Sequence, residues 1–210
     1  MKLFTIIIPH YDKSISDEQF EKCLLSLYKQ KIKDFEVLIY HDGELNKPLS
    51  TTTKILIKKL GAKFSIEPHQ GVWGHNNRDK GIYEAEGEYI IHLNSDNILY
   101  DLEAVKIFIE NTKKQDIYIF PIKMIGTLLL YNGIKGNLLK RTRNPKDETI
   151  LTGFPKRLHI DCMQLIAKTN VWRENGGWYD FREESDGYIY EQMCKRYNYV
   201  HTDLLLGEHW

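Results

Sequence analysis

Three short polar clusters carry the residue types that hold a phosphorylated ligand, and each follows an apolar run. They are Pro9-His10-Tyr11-Asp12, His41-Asp42-Gly43 and Asn94-Ser95-Asp96-Asn97. A carboxylate such as Asp96, set among Asn and Ser, suits a divalent cation that holds a diphosphate, because hard cations take carboxylate and phosphate oxygens together. An aromatic ring at Tyr11 with an acceptor at Asp42 can hold a nucleobase, the ring by stacking and the carboxylate by accepting a base N–H. Taken alone, Asn-Ser-Asp-Asn also reads as an Asx turn that closes a strand.

The elements that must position these clusters alternate between strand and helix patterns, the signature of an α/β domain with a largely parallel sheet. Leu3 to Ile8 is an apolar strand closed by Pro9. Ser16 with Gln19 forms a capping box before a helix that puts Phe20, Cys23, Leu24, Leu27 and Tyr28 on one face. Phe35 to Tyr40 is a second strand. Thr53 to Leu60 is a helix stopped by Gly61, and Phe64 and Ile66 mark a short third strand. A helix over Asn76 to Glu86 precedes the central strand, Glu88 to Leu93, whose β-branched and aromatic content and flanking Gly87 and Asn94 set its bounds. Then come a helix over Asp101 to Lys114 and a strand over Ile117 to Ile122. Periodicity fades from Gly126 to His159, a stretch that reads either as a lid or acceptor-binding flap or as a solvated excursion with a weakly signalled hairpin. Cys162 to Ala167 is a strand, Thr169 caps a short helix, and a helix over Ser185 to Asn198 precedes a strand over Tyr199 to Leu204. In open α/β sheets ligands sit beyond the carboxyl ends of the strands. Parallel neighbouring strands would bring the three clusters to one rim.

Composition narrows the classes. With 210 residues the chain is long enough for a proper core, and it shows no interdomain linker or internal repeat. Its 29 basic residues equal its 29 acidic ones, so long-range attraction to nucleic acid is not expected as its main role. Cys23, Cys162 and Cys194 are odd in number and show no CxxC spacing, which points to a reducing, cytoplasmic compartment without disulfides or a cysteine zinc site. The first residues read as a strand, not a signal peptide, and no stretch has the length of a transmembrane helix.

These residues resemble family 2 of the inverting glycosyltransferases with the GT-A fold. That family pairs an apolar first strand ending in Pro-x-Tyr-Asn with a second ending in Asp-Asp-Gly-Ser. Arg-Asn-x-Gly-Ile-x-x-Ala-x-Gly-Glu-Tyr-Ile and an Asp-x-Asp metal motif follow. This chain has Pro9-His-Tyr-Asp12, His41-Asp-Gly-Glu44, Arg78-Asp-Lys-Gly-Ile-Tyr-Glu-Ala-Glu-Gly-Glu-Tyr-Ile90 and Asn94-Ser-Asp96. The likeness covers roughly the first half in order and spacing, and is most specific from Gly81 to Asp96. Gly176-Gly-Trp-Tyr-Asp180 and Ser185-Asp186 look like later stations of the same family. The compact length is also similar to small virus-encoded members that build capsid glycans, which would act in the host cytoplasm.

The resemblance implies an α/β, Rossmann-like three-layer sandwich with a mainly parallel central sheet. It implies one domain over 1–210, with a donor half over about 1–100 and an acceptor half over about 101–210. A sugar would pass from a UDP-sugar to a hydroxyl of a glycan or glycoprotein acceptor. Pro9, Tyr11 and Asp42 would hold the uracil, Asn94 or Ser95 would face the ribose, and Arg78 would lie near the base or diphosphate. Asp96 and His209 would bind Mn²⁺, or Mg²⁺ in its place. Asp186 would be the general base, with Glu184 and Asp161 in reserve, and Trp178 would stack on the acceptor sugar. His41, Asn94 and Ser185 depart from the family's usual acids. The plainer readings are a helix-capping Asp186, an exposed His209 and a core Trp178. The competing functions are a non-catalytic nucleotide-sugar or glycan-binding module and a nucleotidyltransferase, the latter lacking a Gly-rich phosphate loop after the first strand.

Overall fold

The computed structural model of the chain describes residues 2–112 and 115–210. Lys113 and Lys114, the last positions of the helix expected over 101–114, lie outside the described residues. In chain order the first half forms β1 (Phe4–His10), α1 (Asp17–Tyr28), β2 (Phe35–Asp42), α2 (Thr51–Leu60), β3 (Lys63–Glu67), α3 (His75–Glu84), β4 (Tyr89–His92), β5 (Ile98–Leu99) and α4 (Leu102–Asn111). The second half adds β6 (Ile117–Ile119), β7 (Ile122–Ile125), β8 (Thr127–Gly133), β9 (Gly136–Arg141), β10 (Glu148–Leu151), β11 (Leu165–Lys168), α5 (Thr169–Glu174), α6 (Ser185–Arg196), β12 (Tyr199–His201) and β13 (Gly207–His209).

A seven-stranded sheet in the order β12-β6-β11-β4-β1-β2-β3 forms the middle layer. Strands β1 to β4 are parallel, and β11 runs antiparallel between β4 and β6. Period-2 alternation sends β1 side chains to opposite faces. Phe4, Ile6 and Ile8 pack with Phe20, Leu24 and Leu27 of α1 and with Leu102 and Val105 of α4. Ile7 faces the other layer, where Ile82 of α3, Trp172 of α5 and Tyr190 of α6 close over it. Helices on both faces of a mainly parallel sheet give the three-layer sandwich expected from the sequence.

Register fixes the rim. His10 of β1 lies beside His41 of β2, whereas β4 is aligned so that its last residue, His92, pairs with Ile7. The turn after β4 therefore crosses just past the carboxyl end of β1, with the Leu93 amide donating to the Ile7 carbonyl at 3.0 Å. At the other end of the pair, Gly87 lets the chain enter β4 close against the start of β1, since a Cβ there would come 2.5 Å from the backbone of Phe4 and Thr5.

Several expectations hold and some shift. Ser16 and Gln19 form the reciprocal capping box of α1, and Gly61 ends α2 in a left-handed conformation. The run from Ile117 to Ile122 is two strands, because Pro121 has no N–H for a ladder. Beyond it β7 joins a second sheet ordered β10-β7-β13-β5. The stretch over 126–159 contains the hairpin β8–β9 together with β10. Cys162 to Gln164 form a 3-10 turn before β11 because the Asp161 carboxylate caps it. Thr169 does not cap α5; its hydroxyl donates instead to the Gly87 carbonyl at 2.6 Å. The three cysteines are free.

Candidate functional site

Two neighbouring groups of side chains occupy the carboxyl rim of β1, β2 and β4. The first contains Tyr11 and Asp42. Asp42 is the last residue of β2, and its Oδ1 accepts from the Gln70 amide at 3.1 Å while Oδ2 lies 3.1 Å from His69 Nδ1. The Tyr11 ring stacks on the same His69 imidazole, with centroids 5.4 Å apart. His69 also covers Gly43, where a Cβ would come 3.0 Å from the histidine Cβ and where the backbone φ of +85° favours glycine. Asp12 braces this corner, accepting from the Asn46 amide at 2.6 Å with His41 Nε2 3.4 Å away.

Behind the pocket, buried His10 joins the two groups. Its Nδ1 lies 3.1 Å from Ser95 Oγ and its ring stacks on Phe20 at 4.0 Å. Burial, with His41 adding to it, lowers the His10 pKa to about 4, so the ring is neutral at pH 7. Ser95 is thus buried against the protein, and Asn94 Oδ1 accepts from the Arg78 guanidinium. Of the two residues expected at the ribose, Asn94 keeps the more exposed side chain.

The second group is acidic. Strand β13 pairs with β5 and β7 and carries His209 into the site, where its Nδ1 comes 3.2 Å from Asp161 Oδ2. His209 is therefore not a loose terminal side chain. Burial alone would lower its pKa, but the charges of Asp161 and Asp96 outweigh this and raise it. Burial pushes the Asp96 carboxyl up, and the nearby His209 opposes that shift. Asp161 is tied down twice, by His209 and by accepting from the Met163 amide at 2.9 Å. Asp186 lies in the first turn of α6 and accepts from the Gly187 amide at 2.7 Å. Burial, reinforced by the charge of Asp161, pushes its pKa up to about 7. Glu184 is paired with Arg157.

Arg78 is the buried cation of this end. Besides Asn94 it reaches Cys162 Sγ at 3.4 Å and the Trp73 carbonyl at 3.3 Å, and it lies over Trp178 at 5.3 Å. Against the effect of burial, its charge adds to that of His209 in holding the Asp161 carboxyl low, and it opposes the upward shift of Asp186. These contacts put it on the acidic side of the rim, with Nη1 near Gly74, which packs on Pro9. Trp178 corrects an expectation, since it is fully buried and cannot stack on a sugar. It packs between Trp172 and His75, and its indole N–H donates to Ser185 Oγ at 3.0 Å. Ser185, standing where an acid is usual, thereby anchors the first turn of α6 under Asp186.

Among the described residues no three His, Cys, Asp or Glu side chains are grouped to hold a metal ion. His209 Nδ1 is turned to Asp161, 3.2 Å away, and its charge also couples to that of Asp96. An imidazole and the Asp96 carboxylate fit an ion whose remaining positions are filled by diphosphate oxygens and water. Sequence reading named His10 and His41 within the polar clusters without giving them a role, and missed His69, which belongs to no motif.

Residues 5–159 match the sequence pattern described as glycosyl transferase family 2. Comparison with curated protein sequences finds no match. Among solved structures, the 1–349 fragment of S. aureus TarS superposes with a TM-score of 0.70 at 19% identity, covering 99% of this chain and 60% of that one. The same fragment in complex with UDP-GlcNAc gives 0.70 at 20% identity, covering 100% and 58%. Mannosyltransferase PcManGT from Pyrobaculum calidifontis, in complex with GDP-Man and Mn2+, gives 0.60 at 11% identity, covering 98% and 56%. The chain thus spans no more than about three fifths of each of these structures, and the likeness is one of fold. That fold is GT-A.

Proposed function

Since the chain belongs to glycosyl transferase family 2, we propose that it transfers a sugar from a UDP-sugar to an acceptor hydroxyl with inversion and with the help of a divalent cation. The observation that carries this reading is the placement of Asp186 beside Asp161, with its acidity tuned to about 7, at the rim that also carries Asp42 and Asp96. A carboxyl poised near neutral pH suits a general base. The UDP donor is favoured by the similarity to S. aureus TarS, whose structures include complexes with UDP and UDP-GlcNAc.

In this mechanism Tyr11 stacks on the uracil, Pro9 shapes the pocket and Asp42 accepts a base N–H. Asn94 faces the ribose, and Arg78 compensates charge next to the diphosphate. Asp96 and His209 would hold Mn²⁺ or Mg²⁺, which supplies positive charge to the departing diphosphate. The acceptor oxygen attacks the anomeric carbon as the bond from that carbon to the diphosphate oxygen breaks on the opposite face. The hydroxyl proton passes to Asp186. Residues 1–100 serve the donor and 101–210 the acceptor within one domain. A hexose on a glycan or glycoprotein is the intended chemistry.

The test is incubation with a panel of UDP-sugars and Mn²⁺. UDP release that depends on an added acceptor supports transfer. Tight UDP-sugar binding without turnover under any acceptor would leave a nucleotide-sugar binding module instead.

A further inference from the structure

We propose that the β8–β9 hairpin docks the chain onto an anionic lipid surface. Its tip is apolar and open to solvent. Ile134 in the turn is 87% exposed, and Leu130, Tyr131 and Leu138 on the two strands are each more than half exposed. The loop over 152–159 extends this patch with Phe154 and Leu158, held to the hairpin by the Asn137 amide donating to the Leu158 carbonyl at 3.1 Å and by Lys156 Nζ donating to the Ile134 carbonyl at 2.9 Å. The apolar side chains of a hairpin normally turn toward a core; here Leu139 does so, while its neighbour Leu138 turns out. Contiguous exposed apolar surface of this kind marks an interaction site.

Charge selects the occupant. Residues 126–159 contain seven Lys and Arg against two acids, in a chain whose formal charge is zero. Lys135, Lys140, Arg143 and Lys146 are exposed and have no acidic partner among the described residues. Apolar side chains flanked by unpaired cations match the two layers of an anionic bilayer surface, hydrocarbon beneath and headgroup phosphates above. A second copy meeting tip to tip would bring like charges together, which disfavours a symmetric contact. The protruding shape also differs from the groove that receives a partner helix. Among the described residues no helix is long and apolar enough to cross a membrane, and the attachment proposed for the hairpin is peripheral. The root of the hairpin reaches the candidate site, because the Arg141 guanidinium donates to the Trp210 carbonyl, next to His209. Docking would hold that rim at the lipid surface, whatever reaction the rim performs.

The experiment is co-sedimentation with vesicles of phosphatidylcholine alone and of phosphatidylcholine with about 30% phosphatidylglycerol, chosen for a clear negative surface potential. The full chain should bind the anionic vesicles, bind the neutral ones weakly, and dissociate as salt rises. Ile134→Asp should lower binding by about tenfold or more, and the double variant Lys135→Glu with Lys140→Glu should remove the preference for phosphatidylglycerol. Both changes are on exposed side chains, and unchanged melting temperatures would show that the fold persists. No sedimentation at low salt, or sedimentation that survives Ile134→Asp, overturns the proposal. So does a dimer in light scattering that Ile134→Asp dissociates, which would assign the patch to a second copy.

Discussion

The imidazole of His69 lies nearly parallel to the Tyr11 ring, with the planes 11° apart and the centroids separated by 5.4 Å. The same imidazole places Nδ1 3.1 Å from the Asp42 carboxylate. It therefore makes, within the chain, the two contacts by which Tyr11 and Asp42 would hold a nucleobase. A base that stacks on Tyr11 and pairs with Asp42 has to displace it.

His69→Ala is accordingly expected to tighten UDP binding. An occluded pocket weakens apparent affinity in proportion to the fraction of molecules that are open. If His69 covers Tyr11 in two thirds of molecules, its removal gains about threefold. Isothermal titration of both proteins with UDP measures this. Weaker binding in the variant would make His69 a wall of the base site in place of an occupant.

Asp42→Ala should act in the opposite direction. Losing a buried hydrogen-bond partner costs about 1 to 3 kcal/mol, so UDP affinity should fall by roughly 5- to 150-fold and the preference for UDP over GDP should narrow. Competition between the two nucleotides reads this directly. Equal competition in the unaltered protein would remove uracil from the assignment.

The contrast between Asp42 and His69 shows what a sequence carries. Asp42 ends a strand whose apolar run is legible locally, and the alternation of strands and helices points to the parallel sheet that brings it to one rim with the end of β1. His69 lies in a loop without periodicity, and only packing brings it to Tyr11. Likewise His10 meets Ser95 across 85 positions. Strands β5 and β13, with two and three residues, are too short for any periodic signal, yet β13 is what carries His209 to Asp161. Trp178 misled for the same reason. An aromatic residue near a polar cluster reads alike whether its ring faces solvent or a core, and its contacts with Trp172 and His75 exist only in three dimensions.

Metal dependence gives a further check. Asp96→Ala and His209→Ala should each abolish most of the gain in UDP affinity that Mn²⁺ provides, while leaving metal-free UDP binding nearly unchanged. Titrations with Mn²⁺ and with a chelator separate the two quantities. A variant that retains the full Mn²⁺ effect is not a ligand.

Asp186 allows a test in which activity and stability move in opposite directions. Its pKa is raised to about 7, first by burial and then by Asp161. A general base must be ionised, so turnover should rise with pH and level off above about 7. Asp186→Asn should reduce turnover by roughly 10² to 10⁴ fold with little change in UDP-sugar affinity. The stability effect follows from linkage: a carboxyl whose folded pKa exceeds its unfolded value binds its proton more tightly in the folded state, and the chain loses stability as pH climbs from about 4 to about 7. An amide is never charged and escapes that loss. The melting temperature of Asp186→Asn relative to the unaltered protein should therefore increase between pH 4 and pH 8. Near-normal turnover in this variant would move the base elsewhere. Asp161 is committed to His209 and to the turn it caps, and Glu184 to Arg157, so a replacement base would first have to break one of those contacts.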